Sequence, residues 1–158
     1  MKKLLILIPL FLLLLNACAQ GGHKPDSLKW VYDYEDVLTD NQEKTIDSLI
    51  SDFENRTTNE IVIVTVTDIG DSVSMKDYAV RLGNKWGVGK KNKDNGLMIL
   101  FSSHMRQTFL ATGKGTEKIL KDDICKRIVD STMIPYFKKQ QYFEGLKAGL
   151  EECIKDWE

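Results

Sequence analysis

The sequence predicts an α/β fold, a three-layer α/β/α sandwich with a small mixed sheet, and three segments carry this prediction. Ile61 to Val66 is a β-branched run, typical of a central strand covered on both faces. Leu97 to Phe101 is a second apolar run, and a helical pattern separates the two, which indicates a parallel βαβ unit with a right-handed crossover. Gln107 to Thr112 follows a short polar turn and is expected to return as an antiparallel strand.

The first two helices are predicted from capping residues and apolar spacing. Thr39 and Gln42 form a capping-box pattern, and apolar residues then recur at helical spacing at Ile46, Leu49, Ile50 and Phe53. Ser74 begins the second helix, whose inner face is Met75, Tyr78, Ala79, Leu82 and Trp86. The stretch between Gly87 and Gly96 is a loop by composition.

Two more helices are expected after the antiparallel strand. The first is predicted to begin near Thr116, to bury Ile119, Leu120, Ile124 and Ile128, and to end near Pro135. The last begins near Tyr142 and carries the apolar stripe Leu146, Leu150, Cys153, Ile154 and Trp157. Together the helices cover both faces of the small sheet, as a layered α/β domain requires.

The beginning of the chain has the pattern of a secretory signal peptide. Lys2 and Lys3 precede the apolar run Leu4 to Leu15, whose 12 residues are fewer than the roughly 20 needed to cross a bilayer. The tetrad Leu15-Asn16-Ala17-Cys18 resembles the lipobox of bacterial lipoproteins, in which the cysteine becomes the acylated N-terminus. The alternative is an ordinary cleaved signal peptide in which Cys18 is incidental.

We therefore divide the chain into a signal peptide (1–17), a lipidated Cys18 with a flexible tether (18–27) and one domain (28–158). The expected location is the outer side of a bacterial membrane, facing the periplasm or the cell surface. Removing residues 1–17 takes away two lysines and leaves 20 basic and 23 acidic residues, a net charge of −3. This balance argues against nucleic acid as a partner.

Cys125 and Cys153 are the remaining cysteines, and two interpretations of them stay open. An exported protein could join them in a disulfide. Both also fall on apolar helical faces, where buried free thiols are common.

The usual catalytic constellations lack their parts in this sequence. Its two histidines are His23, in the tether, and His104, in a polar turn, so neither a histidine-based metal site nor a Ser-His-Asp triad has its partners. We interpret Gly113 and Gly115 as a tight strand-to-helix connection, because their spacing does not match a phosphate-binding loop.

Several segments resemble the TPM domain family, named after a thylakoid-lumen phosphatase, a photosystem II-associated lipoprotein and a nematode receptor modulator. The matching segments, in order, are Val31 to Thr39, Glu60 to Val66, Trp86 to Gly89, Lys93 to Leu100 and Thr112 to Glu117. The resemblance implies an extracytoplasmic α/β/α sandwich, divalent-cation binding in some members and an acid phosphatase activity attributed to plant members.

Four acidic residues are candidate metal ligands: Asp33, Asp94, Glu117 and Asp122. Asp94 opens the second strand and Gly113 closes its antiparallel neighbour, so their loops are expected at one edge of the sheet. Asp33 precedes the first helix in an irregular segment and could reach the same place, which the family resemblance supports. Each also has a plain interpretation, as a turn or capping residue for Asp33 and Asp94 and as a helix-dipole complement for Glu117 and Asp122.

Three functional classes remain after these observations. The first is a Ca²⁺-binding accessory module of an envelope complex, tied to the membrane through Cys18 and bound to an envelope protein that the sequence does not identify. It is favoured because oxygen ligands are present and no nucleophile with an adjacent base is evident. The second is a metal-assisted acid phosphatase, in which Lys90, Lys91 and Lys93 attract the anion. The third is an interaction module without an ion.

Overall fold

A computed structural model describes residues 29–158 and contains one four-stranded mixed sheet. Its strands are β1 (Val31–Asp33), β2 (Glu60–Thr65), β3 (Gly96–Ser102) and β4 (Gln107–Thr112), in that spatial order. The first three strands are parallel, and β4 pairs antiparallel with β3. The predicted fold class is therefore confirmed, with β1 as an additional strand where an irregular segment was expected.

The first helix, α1 (Asp40–Thr57), begins at the predicted capping box. The Thr39 backbone N–H donates to the Gln42 side chain at 2.9 Å, and the Gln42 N–H donates back to the Thr39 hydroxyl at 3.4 Å. This reciprocal pair satisfies donors that have no partner inside the helix. The second helix, α2 (Met75–Trp86), begins with a simpler cap, in which the Ser74 hydroxyl accepts from the Asp77 N–H.

The prediction of one continuous helix from Thr116 to Pro135 is wrong. That part of the chain forms a 3₁₀ turn (Thr116–Lys118), α3 (Asp122–Arg127), a π-helix (Ile128–Met133) and α4 (Ile134–Phe137). Pro135 stands in the first turn of α4 and does not end a helix. A proline is tolerated there because its missing N–H would have no partner within the helix.

The last helix, α5 (Tyr142–Trp157), completes a domain with one apolar core on each face of the sheet. The larger core joins the sheet to α1, α3, the π-helix and α5; its strand residues are Val31, Ile61, Ile63, Leu97, Ile99, Phe101 and Leu110. The smaller core joins the sheet to α2 alone; its strand residues are Tyr32, Val64, Met98, Leu100 and Ala111. Alternate residues of each strand face opposite layers, as the pleat of a sheet requires.

The proposed signal peptide, Cys18 and the tether lie outside the described residues. Within residues 29–158, no helix combines the length and the apolar character that crossing a membrane requires.

Candidate functional site

The loops around Asp94 and Gly113 meet at the amino edge of the sheet, meaning the edge where β2 and β3 begin. The Gly113 N–H donates to the Gly96 carbonyl at 2.8 Å, and the Gly115 N–H donates to the Asp94 carbonyl at 3.0 Å. The expectation that these two loops share an edge is therefore correct. The Asp94 side chain itself is exposed, so it is the backbone of this residue that holds the loops together.

The contacts of Asn95 and Gly96 explain why the segment after Asp94 needs these particular residues. The Asn95 side chain, only 6% exposed, accepts from the Lys90 N–H and donates to the Thr58 carbonyl and to the Asn59 side chain, each at 2.9 Å. A Cβ on Gly96 would overlap the Val88 carbonyl oxygen. The buried amide and the tight glycine packing together join three loops, so this motif serves the fold.

Two lysines of this loop, expected to attract an anion, already have partners. The Lys90 ammonium contacts the carboxylates of Glu60 and Glu54, and these two hydrogen bonds raise its pKa above the ordinary value. Lys93 donates to the Thr58 hydroxyl at 2.7 Å. The lysines therefore stabilise the amino edge. Because Lys90 and Lys93 already have these partners, they are less available to attract an anion.

Asp33 lies at the opposite, carboxyl edge of the sheet. Strand pairing places Asp33 beside Thr65, and Thr65 beside Phe101, at the ends of the parallel strands. Asp94 instead precedes Gly96, which pairs with Glu60 at the other end, about 17 Å away at roughly 3.3 Å per residue. Asp33 does not reach the place expected for it, because Val31–Asp33 is a strand that carries its end to the carboxyl edge.

The Asp33 carboxylate bridges the first two strands and the loop after β1. Its Oδ1 accepts from the Thr65 hydroxyl, and its Oδ2 accepts from the Leu38 N–H at 2.7 Å. The Glu35 N–H in turn donates to Thr65 Oγ1 at 3.0 Å. Each Asp33 oxygen accepts one hydrogen bond here, and a carboxylate oxygen has two acceptor positions. Asp33 therefore keeps capacity for a further ligand.

Glu35 was missed by the sequence reasoning, although it connects the same loop to the turn between β3 and β4. Its carboxylate accepts from the Ser103 N–H at 2.8 Å, from the His104 N–H at 3.2 Å, and from the hydroxyls of Ser103 and Ser102 at 3.2 and 3.4 Å. Three of these four donors contact Oε1 and one contacts Oε2, so a single carboxylate joins the loop after β1 to the turn. No local sequence pattern marks the role, since the partners lie almost 70 residues away.

The other two candidate ligands lie apart from Asp33. Glu117 is exposed in the 3₁₀ turn and Asp122 is exposed at the first position of α3. Both lie near Cys125, whose pKa is raised to about 11 by burial first and by the carboxylates of Asp122, Asp123 and Glu117 second. Within residues 29–158, no three Asp, Glu, His or Cys side chains are grouped closely enough to hold a metal ion. The four candidates thus do not form one site.

Cys125 and Cys153 are both buried free thiols, which matches the second of the two interpretations left open above. Burial is the main cause of the raised pKa of each thiol.

A cavity of about 880 Å³ opens beside the carboxyl edge, between the β3–β4 turn and the segment from the π-helix to α5. Its lining includes Ser102 from the end of β3, His104 and Arg106 from the turn, and Lys138 from the end of α4. The sequence predicts His104 as a plain turn residue, and no sequence pattern marks Arg106 or Lys138. These residues lie about 30 positions apart in sequence, so only the folded chain brings them together.

The fold and the loop motifs define a small α/β domain with a four-stranded mixed sheet, and the comparisons with known proteins identify its family. Residues 31–156 match the TPM domain family, so the chain belongs to that family. No match was found among the curated proteins.

Three solved structures show the same fold. The N-terminal domain of a protein from P. gingivalis is 30% identical, with 84% of this chain and 83% of that chain covered and a TM-score of 0.76. The N-terminal domain of the cg2496 protein from Corynebacterium glutamicum is 16% identical, with 85% and 84% covered and a TM-score of 0.66. The BA42 protein from the psychrophilic bacterium Bizionia argentinensis is 22% identical, with 78% and 83% covered and a TM-score of 0.65.

Proposed function

We propose that this chain is an accessory domain of the bacterial envelope, anchored through lipid on Cys18, which binds Ca²⁺ weakly at the carboxyl edge and docks on an envelope protein. The observation that carries the cation part is the Asp33 carboxylate, held rigidly at the end of a parallel strand with acceptor capacity left on both oxygens. Ligands of α/β sheets commonly bind at the carboxyl ends of the strands.

The donor set around Asp33 suits a hard cation. The Thr65 hydroxyl contacts the Asp33 carboxylate and itself accepts from the Glu35 N–H, so an oxygen atom lies directly beside the carboxylate. Calcium accepts six to eight oxygen ligands in a tolerant geometry and takes carbonyls and waters beside carboxylates. With one carboxylate as the main ligand, the affinity belongs to the weak class of extracellular modules, with a dissociation constant of about 10⁻⁴ to 10⁻³ M.

The experiment is a thermal and urea unfolding series on the soluble mature chain, residues 18–158 with Cys18→Ser. Adding CaCl₂ to about 10 mM, against EDTA and against NaCl of equal ionic strength, should raise the free energy of unfolding by about 1.4 kcal/mol or more. Asp33→Asn should abolish that gain. Asp94→Asn is the matched control, because it removes one exposed carboxylate from the opposite edge and should keep the full gain.

The possible results distinguish where the calcium site lies and which of the three functional classes applies. A calcium effect lost in Asp94→Asn and kept in Asp33→Asn would move the site to the amino edge, against the proposal. No calcium effect at all would leave an interaction module without an ion. Turnover of a phosphomonoester by the same protein, dependent on Ca²⁺ or Mg²⁺ and lost in Asp33→Asn, would favour the metal-assisted acid phosphatase instead.

A further inference from the structure

The cavity beside the β3–β4 turn has an apolar floor and a cationic rim. Its floor is a cluster of three rings, with the Phe101 centroid 4.5 Å from that of Phe137 and 5.4 Å from that of Tyr142. Arg106 and Lys138 stand exposed at the rim, on the turn and on the end of α4. We propose that this cavity binds a small organic anion, with its charge held by Arg106 and Lys138 and its apolar body lying on the three rings.

The two cations have no competing acid. Within residues 29–158, neither the Arg106 guanidinium nor the Lys138 ammonium makes a salt bridge or a side-chain hydrogen bond. Asp130 also lines the cavity, but its carboxylate pairs with Lys126. The carboxylate of Glu35, the other acid near the turn, already accepts four hydrogen bonds. Those four donors are neutral and leave the charge of Glu35 in place, but the two cations Arg106 and Lys138 outnumber this one carboxylate. The net charge around the cavity is therefore positive, which favours an anionic ligand.

The backbone around the cavity is unusual at three separate places. The π-helix supplies Val129 and Asp130 to the wall, and π-helical segments are rare and concentrate at functional sites. Arg106 and Gln140 both have left-handed backbone angles, with φ of 54° and 59°, and both line the cavity. Such conformations cost free energy in residues other than glycine and persist where the surrounding structure imposes them. These three irregular segments shape the wall of the cavity from both sides.

The volume and chemistry limit the class of ligand. A cavity of about 880 Å³ lies within the range of small-molecule sites, which are mainly apolar with a few polar groups that fix orientation. The guanidinium of Arg106 can bind a carboxylate or a related oxyanion with two parallel hydrogen bonds. A flat or aliphatic body would cover the rings of Phe137 and Tyr142. The proposed anion site is independent of the calcium site, because Arg106 and Lys138 are not proposed as calcium ligands.

The test is an NMR titration of the ¹⁵N-labelled soluble mature chain, residues 18–158 with Cys18→Ser, using 3-phenylpropionate as the probe. Saturable shifts are expected at backbone amides of residues 102–108 and 129–142. The uncharged analogue 3-phenylpropan-1-ol, and acetate, which lacks the apolar body, should each bind about tenfold more weakly or worse.

Three variants make the result specific. Arg106→Gln and Lys138→Gln should each weaken 3-phenylpropionate binding about tenfold, as expected for the loss of a charge-assisted hydrogen bond. Lys139→Gln is the matched control, because it removes the same charge one residue away and outside the cavity lining. Equal binding of the alcohol and the acid, unchanged binding in both rim variants, shifts elsewhere on the domain, or no saturable shift up to about 10 mM would each overturn the proposal.

Discussion

The Glu35 carboxylate accepts the Ser103 N–H at 2.8 Å and so fastens the loop after β1 to the turn after β3. Three further donors from Ser102, Ser103 and His104 complete its partners. The loop that follows Asp33 and the turn that bounds the cavity are therefore held together by one side chain.

Glu35→Gln should lower the free energy of unfolding by about 2 kcal/mol, since the amide nitrogen would face donors where a carboxylate oxygen now accepts. Urea unfolding measures the change. Asp52→Asn is the control, because Asp52 is an exposed carboxylate on α1, and it should stay within about 0.5 kcal/mol of the parent protein. A Glu35→Gln protein as stable as this control would show that the four hydrogen bonds contribute little.

Two glycines offer opposite outcomes for the same substitution. Gly96→Ala should destabilise the domain by about 3 kcal/mol or more, because the new Cβ would overlap the Val88 carbonyl and its neighbouring backbone. Gly83→Ala should be neutral or stabilising by up to about 1 kcal/mol, because the nearest atom, Met98 Cβ, lies 3.9 Å away and alanine favours the helix. Thermal unfolding of the pair tests both, and equal effects would contradict the packing described for the amino edge.

The Cys125 thiol should make stability depend on pH in the alkaline range. Burial raises its pKa from 9.0 to about 11, so the folded state favours the neutral thiol. The stabilisation this provides is complete below pH 9.0 and is lost as the pH rises through about 11. The difference in unfolding free energy between the parent and Cys125→Ala should therefore shrink across that window. A difference that stays constant would place the thiol in water.

Cys18→Ser should abolish lipid anchoring in the producing bacterium. The acyl chains expected on Cys18 provide about 0.8 kcal/mol of membrane affinity per buried methylene, and serine offers no thiol for them. Palmitate labelling and membrane fractionation measure the result. Cys125→Ser is the control and should keep the label. Labelling and fractionation unchanged in Cys18→Ser would show that the cysteine is incidental.

Most of the sheet could be predicted from the sequence, because its central strands are long apolar runs. The predicted strands Ile61 to Val66 and Leu97 to Phe101 each match an observed strand to within one residue at either end. The Thr39 capping box also locates the start of α1 correctly. In these places local composition and the final packing agree, which is the condition under which pattern reasoning works.

The candidate site was harder to predict, and β1 shows why. Three residues, Val31–Asp33, are too few to establish an alternating pattern, and they are a strand only because β2 pairs with them. That pairing moved Asp33 to the edge opposite Asp94. The π-helix escapes prediction because its two buried residues, Ile128 and Met133, are five positions apart, whereas an α-helical face repeats at three and four positions.

The unequal covering of the two sheet faces has a consequence for motion. One face meets α1, α3, the π-helix and α5, whereas the other is covered by α2, which buries Met75, Ala79, Leu82 and Trp86. Fewer buried apolar residues form the core of that layer, so detaching it costs less free energy than unfolding the whole domain. Amide protons of α2 should therefore exchange with solvent through a partial opening that leaves β2, β3 and the larger core protected.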